Sequence, residues 1–478
     1  MIVSAFIPNR RETPGRVRAR PHLRRWLLAL LALALVACGA NPAPPETPTP
    51  VSTETSLPSS PSPASPTLTP AEMPSVNVDR ITYVSPEGDL FTINADGSGS
   101  QRLTGSLQAR NGPIGGFMAQ SLDYETIYAW PTWSRDGTRL AASLVRFGND
   151  RSTEVSVQVV DATNGRHRTV YENDLGRLIA DGTPHYLHWS PDSNSLGILA
   201  TTPQGLSLLL ADLATPGWLK TLETGAPLYF NWSGDGNALL THVGAEVKLL
   251  RRPFDPVSAT VLTSSGGFRV PAFSAEGGQL AYAEVGPEGG QLQVAAVQQP
   301  TETHSALAVG ANSAFLWSPR RAELAVADQS NPNSLIFERL RVVSAAGGDE
   351  RTLVEEPLIA FYWSPDGEKL AWVALDTESQ VFQWRVIGRE GGEPTDLFRF
   401  HPTGEVLTML SFFDQYAHSH SPWSPDSSHL VVAGTLEPAS ERRDGHTPTG
   451  ARIYVMDVTG QEPPQGIASG GLAFWSWN

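Results

Sequence analysis

The chain has 478 residues, with 34 Lys and Arg against 49 Asp and Glu, a formal charge of -15, and a single Cys. One cysteine excludes an internal disulfide framework, and the acidic balance disfavours nucleic acid or anionic lipid as the main partner. Seven arginines fall within residues 1–25; without residues 1–37, 27 basic side chains face 48 acidic ones, a charge near -21.

Residues 1–37 read as a secretion signal, in which Arg10, Arg11, Arg16, Arg18, Arg20, Arg24 and Arg25 precede the apolar run from Trp26 to Ala37. A run of twelve residues is short of the about 20 that a bilayer-spanning helix needs. Leu35-Val36-Ala37-Cys38 resembles the lipobox of bacterial lipoproteins, which implies cleavage before Cys38 and acylation of its thiol and its freed amine. Two or three acyl chains anchor stably where one does not. The pair Arg24-Arg25 leaves general secretion and twin-arginine export both open, with general secretion the expected route.

Residues 38–78 hold the expected lipidated cysteine and a Pro-, Ser- and Thr-rich stretch with almost no aromatic or branched aliphatic residues. Such a composition buries no core and reads as a disordered tether. Extended as polyproline, it reaches roughly 100 Å.

The remainder, 79–478, is repetitive. Trp133-Ser134-Arg135-Asp136-Gly137 recurs as Trp189-Ser190-Pro191-Asp192-Ser193, Trp232-Ser233-Gly234-Asp235-Gly236, Trp317-Ser318-Pro319, Trp363-Ser364-Pro365-Asp366-Gly367 and Trp423-Ser424-Pro425-Asp426-Ser427, with Phe273-Ser274 to Gly277 as a degenerate copy. Successive aromatic positions lie 56, 43, 41, 44, 46 and 60 residues apart. Each copy reads as a hairpin: a strand ends at the aromatic, the Asp caps a tight turn, and Gly or Ser takes the left-handed position. A second strand follows at once, as in Leu140-Ala141-Ala142 and Leu370-Ala371-Trp372, and two more complete each unit. Four antiparallel strands per unit make a propeller blade.

These phrases resemble the WD-like repeat of the TolB type, and Gln101-Arg102-Leu103-Thr104 matches that repeat's fourth-strand ending. The resemblance implies an all-β propeller and binding outside the cytoplasm, not a reaction. Leu472-Ala473-Phe474-Trp475-Ser476 reads as a first strand with none after it, while Ile81-Thr82-Tyr83, Leu90 to Ile93 and Gln101 to Leu103 read as later strands with no first one. Pairing the C-terminal strand with the N-terminal three closes a single propeller without exposed edges. The count is eight blades, or seven if the Phe273 unit packs otherwise.

Long insertions, at 105–127, 173–185 and 401–419 between blades and at 146–153, 327–336, 375–380 and 434–450 within them, all belong to one face. That loop-rich face is the expected binding face. The tether enters on the opposite, tight-turn face. Two loops carry the candidate ligand-binding residues: Tyr124, Tyr128 and Trp130 in one, Phe412, Phe413, Tyr416, His418 and His420 in the other, with His185 beside them. His418 and His420 read as alternate residues of a strand, like His185 and His188, but no carboxylate or cysteine spacing supports a metal site. The aspartates Asp136, Asp192, Asp235, Asp366 and Asp426 read as turn caps rather than a catalytic set. No Gly-x-Ser-x-Gly elbow occurs.

The sequence therefore predicts a monomeric, membrane-tethered lipoprotein of the cell envelope, periplasmic or at the cell surface, without cofactor. It binds a protein, peptide or glycan; the alternative is a propeller-channel glycosidase or polysaccharide lyase.

Overall fold

The computed structural model describes residues 79–105, 125–147, 153–172, 186–265, 269–286, 289–331, 334, 336–437 and 450–477. Cys38, Tyr124 and His185 lie outside them. Among the described residues, six sheets of four antiparallel strands and one of seven make a β-propeller.

Unit 1 is the composite. Leu472–Trp475 pairs with Ile81–Val84, which continues into Leu90–Ile93 and Gln101–Arg102, so the two ends of the described chain share one sheet. Units 2 to 6 open with Glu125–Trp133, Tyr186–Trp189, Leu228–Trp232, Ala272–Phe273 and Asn312–Trp317, each the first strand of its own four-stranded sheet. The Phe273 unit is thus a regular sheet despite its degenerate motif. Units 7 and 8 are fused: the last strand of unit 7, Thr395–Pro402, pairs through Phe400, His401 and Pro402 with Leu436, Thr435 and Gly434 of unit 8. Among the described residues, two isolated bridges, Trp423↔Leu430 and Ser421↔Trp475, stand where unit 8 would have its first strand. Hydrogen-bonded sheets number seven and repeat units eight.

The recurring turn has one geometry. In unit 2 the Ser134 hydroxyl donates to Asp136 Oδ1 at 2.6 Å and accepts from Arg139 N at 2.9 Å, while Asp136 Oδ1 also accepts from Thr138 N at 3.0 Å. The fifth position is left-handed in six copies, Gly137 (φ 66°), Ser193 (57°), Gly236 (69°), Gly277 (73°), Gly367 (72°) and Ser427 (62°), but not in the Trp317 copy, where it is Arg321. A side chain there is strained, and Ser193 and Ser427 offset the strain by bridging units. Ser193 Oγ accepts from Asp136 N at 3.1 Å, and Ser427 Oγ from Asp366 N at 3.0 Å.

The motif tryptophans stitch neighbouring units together. Trp189, Trp232, Trp317, Trp363 and Trp423 each donate Nε1–H to a backbone oxygen of the preceding unit: Thr132, His188, Ala272, Leu316 and Tyr362, at 3.1 to 3.3 Å. Every acceptor directly precedes that unit's own motif aromatic. Phe273 has no indole to give, and there Asn231 Oδ1 accepts from Phe273 N instead, at 3.2 Å. The series lapses only around the composite unit, where Trp475 Nε1 and Trp133 Nε1 are buried without a hydrogen-bond partner among the described residues. A second series at the rim spans that gap, since Gln465 donates to Asp96 O at 3.1 Å and Gln101 to Thr163 O at 2.8 Å.

Third-to-fourth turns lie beside first-to-second turns, as Leu213 N to Asn194 O (2.9 Å) and Arg252 to Gly236 O (3.0 Å) show. The described chain enters on this tight-turn face, where Arg80 and Ser476 exchange hydrogen bonds of 3.0 and 2.7 Å. Among the described residues no helix is long and apolar enough to cross a membrane.

Candidate functional site

The first strands converge on an axis, and the positions one and three residues before each motif aromatic carry the side chains that meet there. Three before, the residues are Trp130, Tyr186, Tyr229, Val270, Ala314 and Ala360; one before, Thr132, His188, Asn231, Ala272, Leu316 and Tyr362. Bulk is unequal, large on units 2 to 4 and small on units 5 and 6, and the chain fills the difference itself.

After Pro402 the chain does not run straight into unit 8. Thr403 caps the helix Gly404–Ser411, its Oγ1 accepting from Val406 N at 3.2 Å. A short helix, Phe413–Tyr416, and a turn through Ser419 follow. This segment occupies the axis. Phe413 packs against Phe337, Phe361 and Tyr362 with ring centroids 4.9 to 6.1 Å apart. Tyr416 meets Trp130 at 5.6 Å and Tyr186 edge-on at 5.5 Å. Tyr186 donates to Gln415 O at 2.9 Å, Thr132 to Ser419 O at 2.8 Å, and Arg135 to His418 O at 3.0 Å. His420 lies edge-on to Phe474 of unit 1 at 4.3 Å.

The expected aromatic platform is therefore an internal plug. Phe413, Tyr416 and His420 are each 1 % exposed, and Tyr128 is also buried. Trp130 is aimed inward by a bulge, since the pairing of its strand shifts between Ala129 and Thr132 and Trp130 itself has φ 54°. Phe412 is half-buried at the turn between the helices. His418 and His420 sit in a turn rather than alternating along a strand, because the two helices take up the length that a strand would need. The histidine they meet is His188, whose ring stacks on His418 at 6.5 Å.

Burial governs the ionisation of this cluster. Desolvation holds His418 down to about 4, His420 to about 3 and His188 well below the ordinary imidazole value, with the Arg135 charge lowering His188 and His418 further. All three imidazoles are neutral at pH 7. Arg135, itself lowered to about 10 by burial, remains a cation, packed over the Trp477 ring at 3.9 Å. The phenols of Tyr186, Tyr362 and Tyr416 are raised by burial, and that of Tyr229 to about 12. Asp414, 2 % exposed, is the one carboxylate that the plug brings to the axis. Its Oδ2 accepts from Val270 N at 3.4 Å, while Oδ1 has no hydrogen-bond partner among the described residues.

The motif aspartates lie in the turns of the tight-turn face and bond groups of their own turns, as Asp136 does with Ser134 and Thr138. Burial raises Asp136, Asp192, Asp366 and Asp426, but hydrogen bonds from the preceding Ser and from turn N–H groups outweigh it; in Asp235 the Ser233 bond leads, and all five end below the usual carboxylate value. Among the described residues no group of three or more His, Cys, Asp or Glu is placed to hold a metal ion.

Sequence reasoning named His188 beside His185, as a weakly supported metal candidate, and missed Arg135 and Asp414. For Arg135 a signal was present, since it stands where most other copies carry Pro or Gly. For Asp414 no pattern pointed inward, because only the helices bring it to the axis.

No protein-family model matches the chain, and no curated protein matches it. Among solved structures it is similar to TolB from Acinetobacter baumannii (13 % identity over 71 % of this chain and 82 % of that one, TM-score 0.35). It is also similar to the C-terminal WD40 domain of Sif2 (14 %, 72 % and 87 %, TM-score 0.44) and to an oligogalacturonate lyase in complex with manganese (16 %, 66 % and 84 %, TM-score 0.44). These are distant likenesses of fold. The propeller itself rests on the chain's own sheets.

Proposed function

We propose that this propeller is a membrane-tethered envelope protein, anchored through acylated Cys38, that binds or assembles a protein, peptide or glycan on its loop-rich face. The observation that carries the reading is the plug. With Phe413 to Tyr416 and His420 buried against the first strands, the axis holds packed side chains rather than a reaction site, and binding falls to the loops. The alternative, a glycosidase or lyase, has to place its site at a mouth of the propeller, because such chemistry needs solvent-accessible carboxylates or histidines.

The test compares two constructions of the mature chain. Cross-linking in intact cells, followed by mass spectrometry, is expected to capture a partner that is lost when residues 438–449 are replaced by a Gly-Ser linker. Capture should persist when Asp457–Gln461 on the opposite face is altered. Loss on the wrong face, or release of oligosaccharides from envelope polysaccharide by the purified protein, overturns the binding reading. Acylation is read separately, from the mass of the N-terminal peptide and its change in Cys38→Ala.

A further inference from the structure

The third-to-fourth turns all lie on the tight-turn face, and most carry polar tips. Units 1, 2 and 6 use Asn94 to Ser100, Ala162 to Arg166 and Ala345 to Glu350, and units 5, 7 and 8 expose Glu302, Glu390, Glu393 and Glu462. Units 3 and 4 differ. The turn of unit 3 ends in Pro216-Gly217-Trp218-Leu219, with Trp218 41 % and Leu219 40 % exposed. That of unit 4 runs Pro253-Phe254-Asp255-Pro256-Val257, with Val257 94 % exposed and Val261 beyond it 51 % exposed. The two turns are neighbours, since Lys220 Nζ donates to Phe254 O at 2.8 Å.

Charge is divided the same way. Arg168, Lys220, Arg251 and Arg252 border these turns and none closes a salt bridge among the described residues, although the Arg252 charge acts on Asp192; their bonds go to backbone oxygens, Arg168 to Leu213 O, Lys220 to Phe254 O, Arg251 to Val297 O and Arg252 to Gly236 O. Asp192, Asp212 and Asp255, acids near these turns, accept from the turns' own Asn194 N, Ala214 N and Val257 N. In units 6 and 7 Arg321 is neutralised by Glu368 and Arg389 by Glu323 and Glu368, while Arg320 bonds the backbone oxygen of Pro365. A tryptophan and aliphatic tips bordered by cations that no salt bridge neutralises fit the boundary between headgroups and acyl chains.

We infer that the turns of units 3 and 4 dock on a lipid bilayer, with Trp218, Leu219 and Val257 entering the interface and Lys220, Arg251 and Arg252 meeting headgroup phosphates. The tether argues for this occupant. Its lipid-bearing end is 41 residues before Asp79, and the chain enters the propeller on this same face. The acidic body opposes recruitment from solution, so the patch orients a chain that is already anchored. The docked propeller leans on one edge and turns its loop-rich face outward. This rests on the tethered reading only for where the chain is held.

The experiment imposes the tether, so it stays informative even if Cys38 proves not to be acylated. The propeller closes within residues 79–477, and a chain starting at residue 39 keeps every described contact. That chain, held by an N-terminal hexahistidine on vesicles of phosphatidylcholine and phosphatidylglycerol with a nickel-chelating lipid, is examined with brominated acyl chains as quenchers. Tryptophan quenching is expected, and Trp218→Phe removes most of it. Val257→Asp lowers it about tenfold at equal surface density, and circular dichroism confirms that both variants remain folded. Quenching that is absent, or unchanged in both variants, overturns the proposal. So does self-association in solution that Val257→Asp abolishes, which assigns the patch to a second copy.

Discussion

The indole N–H of Trp189 donates to the backbone oxygen of Thr132 in the preceding unit at 3.1 Å, and the same bond recurs wherever a motif tryptophan meets a regular neighbour. It gives tryptophan at this position a bond that a phenylalanine cannot make, and where Phe273 stands Asn231 Oδ1 supplies a different link by accepting from Phe273 N. Trp189→Phe removes the bond, leaves a buried oxygen less satisfied, and opens space. A loss of about 2 kcal/mol is expected in urea unfolding. Trp133→Phe provides the contrast: its indole N–H has no partner among the described residues, so only the lost volume should register. Equal losses at the two sites would remove the bond from the explanation.

Ser193 supplies a second contrast. Its φ of 57° disfavours a side chain, yet its hydroxyl accepts from Asp136 N and its backbone oxygen from Arg139. Ser193→Gly relieves the strain and loses the hydroxyl, two effects of about 1 kcal/mol that nearly cancel. Ser193→Ala loses the hydroxyl and keeps the strain, so thermal unfolding should rank serine and glycine together with alanine below both.

The propeller was legible because its signal is local and repeated: a tight turn demands Asp and Gly at fixed offsets, and the strands follow at once. Closure was legible from incomplete units at the two ends. The plug was not. Thr403-Gly404-Glu405 before Val406, Leu407, Met409 and Leu410 is a helix start with an apolar face, but amid strands it read as a long loop. What directs Phe413 and Tyr416 inward is the small Ala314 and Ala360 opposite the large Trp130 and Tyr186. That complementarity spans more than 200 residues of sequence, and no local pattern carries it.

Around the composite unit the indole series lapses on both sides, and the pairing of Leu472–Trp475, the rim bonds and two backbone bonds, Trp475 N to Ser421 O at 3.1 Å and Tyr128 N to Gly88 O at 2.7 Å, hold it to its neighbours. Hydrogen exchange should therefore find the amides of Ile81–Val84 opening before those of Ala238–Val243, which lie inside the stitched region. Gln101→Ala together with Gln465→Ala removes both rim bonds and should widen the difference. Uniform protection across all units would mean that the lapse has no energetic consequence.

Acid should loosen the plug before it dissolves the turns. The sign follows from the direction of the shifts: His188, His418 and His420 titrate lower folded than unfolded, so the unfolded chain takes up more protons below about 6.5. Their contribution is complete above that pH and is lost as pH falls toward the folded values of about 4 and 3 for His418 and His420. Each fully shifted imidazole adds a slope of up to about 1.4 kcal/mol per pH unit. The motif aspartates, lowered by their turns, add a loss only as pH falls toward and below the ordinary carboxylate value of 3.8. Urea midpoints measured from pH 7 to 5 should fall, and His420→Gln should flatten the curve. A pH-independent midpoint over that range contradicts burial of the histidines in neutral form.

Asp414 discriminates between a plug that only packs and one that holds something. With Oδ1 unpartnered and Oδ2 receiving a long bond from Val270 N, the carboxylate gains little from the protein that surrounds it. Asparagine keeps an oxygen for Val270 and removes a buried charge, so Asp414→Asn should leave stability unchanged or raise it by about 1 kcal/mol. Asp414→Ala forfeits the bond and leaves a cavity, which should cost about 1 to 2 kcal/mol. If Asp414→Asn is instead as damaging as the alanine variant, the negative charge itself is required. A bound cation at the axis then becomes the simplest account, and dialysis against a chelator should lower the melting temperature of the native chain but not that of Asp414→Asn.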